Sequence, residues 1–194
     1  MSSGPAAPQA MTRRPGGAQE TTRLLVELKT RARLRLNAAR RTSGGGASAS
    51  PPGAMPELRL RDCLDEVARD VGFAHWEHAR RVLGGMAGPG DDMGTFWHAP
   101  ACLAMLSAWH STHAEARAAL AAERGRYLLP YRRQFIVADA DFVVELGLSP
   151  ADPRWADIRC DLAGGYGSAA WLVLAFERLK APLSTFAPMR SRPA

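Results

Sequence analysis

Lysine is nearly missing from this 194-residue chain: of its 25 basic residues only Lys29 and Lys180 are lysines. Arginine grips phosphate and carboxylate through a planar fork, but the abundance of Ala, Gly and Pro alongside it points equally to a compositional bias. Cysteine is scarce too. Cys63, Cys102 and Cys160 are too few and too widely spaced for a disulfide framework, which fits a reducing, cytoplasmic setting. No apolar run approaches the roughly 18–20 residues of a membrane span. Arg13-Arg14 is followed by PGGAQETT rather than an apolar segment, so it is no export signal. Signatures of familiar chemistry are also lacking: there is no HEXXH, CxxC, phosphate loop, GxSxG or kinase motif. No cofactor is implied, and whether the chain is an enzyme is left open.

What charge there is divides unevenly. Residues 1–54 carry nine Arg or Lys against two acids, whereas residues 55–194 carry sixteen against seventeen. The basic character therefore belongs to the N-terminal segment. Such an arm can attract nucleic acid, an anionic lipid surface or an acidic protein, and charge alone does not choose.

Composition and period divide the chain. Residues 1–19 read as a disordered tail, 20–41 as a basic amphipathic helix with Leu25, Leu28, Ala32, Leu36 and Ala39 on one stripe, and 42–56 as a flexible linker. Residues 57–194 read as a single α+β domain with a Gly-rich loop at 84–95. In it Asp62 caps a first helix closed at Gly72, and a second runs through Trp76, Ala79 and Leu83. The run Ala101 to Trp109 is strand or buried helix, since periodicity does not decide. Thr112 and Glu115 form a capping box, Gln134 to Ala138 is a strand, Asp139 caps a helix, and Ser168 opens a last apolar helix. The class is α+β, a helical N-terminal half followed by a small mixed strand/helix region.

Four constellations invite chemistry. The helix pair at 62–83 suggests helix-turn-helix, but His78 occupies a core position and the acids there match the arginines, so a packing unit is preferred. The histidines cluster: His75, His78, His110 and His113 form two H-x-x-H pairs that, with Cys102, could hold a metal if each pair shares a helix face. Gly165-Tyr166-Gly167 before a helix has the look of a phosphate-binding turn, yet lacks the downstream strand and acid of a dinucleotide fold. RGRYLLPYRRQF interleaves arginine with tyrosine. Arg126, Tyr131, Arg132 and Arg133 are the best candidates for contact with an anion or a partner, with Arg31, Arg33 and Arg35 in support.

VARDVGFAHW resembles an A-R-x-x-G-F-x-x-W helical segment of assorted bacterial proteins. Together with the basic leader helix, G-x-Y-L-L-P-Y-R-x-Q-F and ELGLSPADPRW, it is similar to an uncharacterised bacterial protein family across Leu24 to Ile158. The resemblance implies no activity and no site residues. The expected function is a soluble, non-catalytic binding or regulatory module with an arginine-rich contact surface. Its partner would be a protein or another anionic species, nucleic acid being the weaker option. The alternative is a metal-dependent enzyme or metal-binding protein built on the histidines of the His75–His113 segment. A homodimer through Trp171 to Leu179 is a third expectation.

Overall fold

The computed structural model describes residues 16–43, 58–88 and 90–187. Of the tail expected at 1–19, residues 1–15 lie outside them and 16–19 are helical instead, while nearly all of the linker expected at 42–56 lies outside them. Helix α1 runs Gly16–Ser43, longer at both ends than the stripe required. Leu24, Leu28, Ala32 and Leu36 are its buried face, with Leu24 in the place expected of Leu25. That face packs on α2 (Leu60–Asp70) and on the last helix, α7 (Ala169–Lys180). The leader helix is therefore part of the core.

Helix α2 begins one turn earlier than expected. Arg59 is its N-cap, and Asp62 is the acid three residues in, its carboxylate accepting the Arg59 N–H at 2.9 Å. Val67, Ala68 and Val71 face inward, and the Phe73 N–H closes the helix on the Ala68 carbonyl at 2.9 Å. Helix α3 follows at Trp76–Leu83. The turn between them rests on Gly72, whose φ of 94° suits glycine. A side chain there would also stand 2.7–2.8 Å from Thr95 and Phe96. The Gly-rich loop at 84–95 leads into a buried segment, for Thr95, Phe96, Trp97 and His98 are buried. Aromatic contacts run through it from Phe73 to Phe96 (5.4 Å), Phe96 to Trp97 (4.9 Å) and Trp97 to Trp171 (5.8 Å).

The ambiguous run resolves into a 3₁₀ turn at Pro100–Ala104 and strand β1 at Ala108–His110. Helix α4 (His113–Ala122) comes next, opened by the Thr112–Glu115 capping box, then β2 (Tyr127–Tyr131) and β3 (Gln134–Ala138). The sheet is antiparallel with order β1-β3-β2. Trp109, Ile136 and Leu129 stand in register and so share one face, while Ala108, Val137 and Leu128 share the other. On that other face Leu128 and Val137 pack against Ala116 of α4. Helix α5 (Ala140–Glu145) is capped by Asp139, α6 is the short Arg154–Asp157, and Ser168 caps α7. The fold is α+β, helices first. No described helix is long and apolar enough to cross a membrane.

Candidate contact surface

The β2–β3 hairpin turns through Arg132 and Arg133, both exposed. Arg132 has a φ of 50°, a left-handed conformation that a side-chain-bearing residue adopts at a cost. Two backbone hydrogen bonds hold it there: Arg132 N–H donates to the Gly94 carbonyl at 2.7 Å, and Met93 N–H to the Arg132 carbonyl at 2.9 Å. The same loop donates Thr95 N–H to the Gly72 carbonyl at 2.8 Å. The α2–α3 turn thus braces the hairpin tip through one intervening loop.

Beside the tip is an aromatic group. The Arg132 guanidinium lies 5.6 Å from the Tyr131 ring centroid. Tyr131 meets Trp109 and His98 edge-on, each at 5.0 Å, and His98 meets Phe142 at 5.7 Å. His98 is buried and its Nδ1 has no partner. Burial, and then the Arg178 charge, hold its pKa below the ordinary histidine value. Trp109 is 46 % exposed. Among the described residues no carboxylate pairs with Arg132 or Arg133.

The remaining contact candidates divide. Arg126 pairs with Glu123 at 2.8 Å. Arg31 donates to Glu27 and, at 2.6 Å, to the Leu179 carbonyl, clamping α1 to α7. Arg35 donates to Asp70 at 2.6 Å and Glu66 at 3.4 Å, clamping α1 to α2, and this pairing raises its pKa over the opposing effect of burial. Arg33 alone of the α1 trio is exposed without an ion pair. Arg31 and Arg35 therefore act as internal struts. A basic stripe read from one helix cannot show which cations a later helix will meet.

The histidine–cysteine group does not converge. His75 precedes the first turn of α3 as its N-cap, its Nδ1 accepting the His78 N–H at 3.2 Å. His78 accepts Ala74 N–H on Nδ1 and donates Nε2–H to the Asp92 carbonyl at 2.7 Å. His110 ends β1 whereas His113 opens α4, so the i, i+3 argument fails for lack of a common helix. His113 Nε2 lies 2.9 Å from buried Asp161. Cys102 is buried against the Phe142 carbonyl, and burial pushes its thiol pKa up, away from nucleophilic use. No three His, Cys, Asp or Glu among the described residues are grouped to hold a metal ion.

The glycine-rich turn is structural. Tyr166 donates its hydroxyl to the Val82 carbonyl at 2.6 Å and accepts Ala87 N–H at 3.1 Å. Gly164 abuts the Asp161 carboxylate so closely that a Cβ would lie 2.6 Å from Oδ2. The α7 face proposed for a dimer is spent internally: Trp171, Leu172, Leu174, Ala175 and Leu179 are all buried. Two features escaped sequence reasoning. Trp109 was hidden inside an undecided apolar run. Arg178 had a visible signal, since it falls on the stripe of Leu174, Ala175 and Leu179. No family model, no curated protein and no solved structure matches this chain.

Proposed function

We propose that this chain is a non-catalytic binding module that holds an acidic protein segment at its hairpin tip, against Tyr131, Arg132 and Arg133 with Trp109 alongside. The observation that carries this reading is Arg132 itself. An arginine is kept in a left-handed turn where glycine or asparagine would cost less, is braced by a second loop, and has no carboxylate within ion-pair distance. Supporting it, the titratable side chains His75, His78, His113 and Cys102 are each engaged in caps, ties or packing. Two arginines without an ion pair, one of them (Arg133) within electrostatic reach of Asp91, are few for a phosphate backbone, which favours an acidic peptide over nucleic acid.

The test is a titration of the full chain with a short polyglutamate peptide and, separately, with a single-stranded oligonucleotide. Expected is peptide binding that weakens with salt and falls at least about tenfold in Arg132→Ala/Arg133→Ala, a loss of roughly 1.4 kcal/mol. Tighter binding of the oligonucleotide, or indifference to the double substitution, would reject the reading. Elemental analysis addresses the metal alternative, since stoichiometric zinc or iron would replace a binding module with a metalloprotein. The same proposal sets the protein in the reducing cytoplasm, in keeping with three free cysteines. Recovery of an oxidised, exported pool by cell fractionation would contradict that placement.

A further inference from the structure

We infer that the cavity where α1, α6 and α7 meet binds a small organic acid, a single carboxylate on an apolar body. The space is about 260 Å³, and α7 packs against both other helices around it. Each helix sends one cation to it: Arg23 from α1, Arg154 from α6 and Lys180 from α7. Leu172, Val173 and Phe176 of α7 supply an apolar wall. Small-molecule sites combine such a lining with a few convergent polar groups. This cavity is smaller than the roughly 300 Å³ at which sites for drug-sized ligands begin, so one ring or a branched chain fits it better than a nucleotide.

The pairing of the three cations sets the charge of the ligand. Lys180 Nζ pairs with Glu177 at 3.0 Å, and Arg154 Nη1 with Asp152 at 3.0 Å. Arg23 has no acid within ion-pair distance among the described residues, and Glu27, one turn along, is taken by Arg31 at 2.8 Å. One positive charge is left over, which matches a monoanion. Phe176 concentrates that charge. The Arg23 guanidinium carbon and Lys180 Nζ each lie 4.5 Å from its ring centroid. The two cations therefore stand no farther apart than twice that distance, and they repel. A carboxylate between them relieves the repulsion, and the planar fork of Arg23 can take it through two hydrogen bonds. Arg154 spends only Nη1 on Asp152, so the rest of its fork is open to the same anion. Glu177 also lines the cavity, a resident carboxylate that competes with the ligand. This site does not rest on the acidic-segment reading, because Arg132 and Arg133 are not among its lining residues.

Amide NMR titration of the full chain with benzoate and, separately, with isovalerate tests this. Benzyl alcohol and inorganic phosphate serve as the neutral and the purely anionic controls. Expected is saturable binding of at least one acid by low-millimolar concentration, with shifts at Arg23, Val173 and Glu177. Arg23→Gln should weaken it at least about tenfold. Arg23 is exposed, so this variant should keep the wild-type circular dichroism. Glu177→Gln should tighten binding, since the competing carboxylate is gone. Arg132→Ala/Arg133→Ala should leave it unchanged, which separates this site from the hairpin tip. Failure of both acids to saturate overturns the inference, as does equally tight binding of benzyl alcohol or phosphate. So does indifference to Arg23→Gln, or a change in the same direction in both glutamine variants. Loss of binding in the hairpin-tip variant would also reject this cavity.

Discussion

Arg178 brings a guanidinium into the core with no carboxylate beside it. Its Nε donates to the Phe96 carbonyl, Nη1 to the Leu146 carbonyl and Thr185 Oγ1, and Nη2 to the Thr185 carbonyl, at 2.6–3.0 Å. The guanidinium carbon stands over the Phe186 ring, 3.6 Å from its centroid. Burial pushes its pKa down to about 9, and the group is still a cation at neutral pH. One side chain thus ties the 96–98 loop, the end of α5 and the 183–186 segment to α7. Arg178→Ala strands the buried carbonyls of Phe96 and Leu146 and the half-buried one of Thr185, and should lower unfolding free energy by at least about 3 kcal/mol in urea titration. Arg178→Lys, a point charge without the planar fork, should recover only part of that loss. His98 supplies a pH signature. Its folded pKa lies below the ordinary 6.5, so the unfolded chain takes up the proton first. Its contribution is present above 6.5 and is lost as pH falls from 6.5 toward the folded value. The expected slope is up to about 1.4 kcal/mol per pH unit, and it should be reduced in His98→Phe.

At the scale of elements, α1 separates a basic arm from a core helix. Leu28 is fully buried between α2 and α7, so Leu28→Ala should cost about 2–5 kcal/mol, whereas exposed Arg33→Ala should change stability by no more than about 0.5 kcal/mol. Equal, negligible effects in thermal melts would mean that α1 is dispensable to the fold. Gly72→Ala is a test of the brace, since the added methyl meets Thr95 and Phe96 backbone while the backbone is left-handed. It should destabilise by more than about 1 kcal/mol. In amide NMR spectra it should also shift Gly94 and Arg132, which a purely local fault at α2 would leave alone. Elements of this kind were largely legible beforehand. Ser168, Asp139, Thr112 and Glu115 cap where capping chemistry required, and Gln134–Ala138 is the short strand read there. Asp62 misled by one turn because an acid at the cap and an acid three residues later look alike in sequence.

As a whole molecule, α1, the α2–α3 pair, the sheet and α7 share one hydrophobic cluster. Unfolding should therefore be a single transition, with far-ultraviolet circular dichroism and tryptophan fluorescence coinciding. A separate early loss of helicity would show α1 leaving by itself. Hydrophobic period, cap residues and turn glycines sufficed to place most of the helices, strand β3 and the α+β class, because each acts within a few residues of chain. The contact surface needed more. Arg31 and Arg35 are struts, Arg132 has no ion pair, and Arg178 is buried, yet all four are one side chain with one chemistry. What separates them is which carboxylate or carbonyl the fold carries to within hydrogen-bond reach. That pairing joins residues far apart in the chain, as Arg178 with Phe96 or Arg35 with Asp70, and only tertiary packing brings them together.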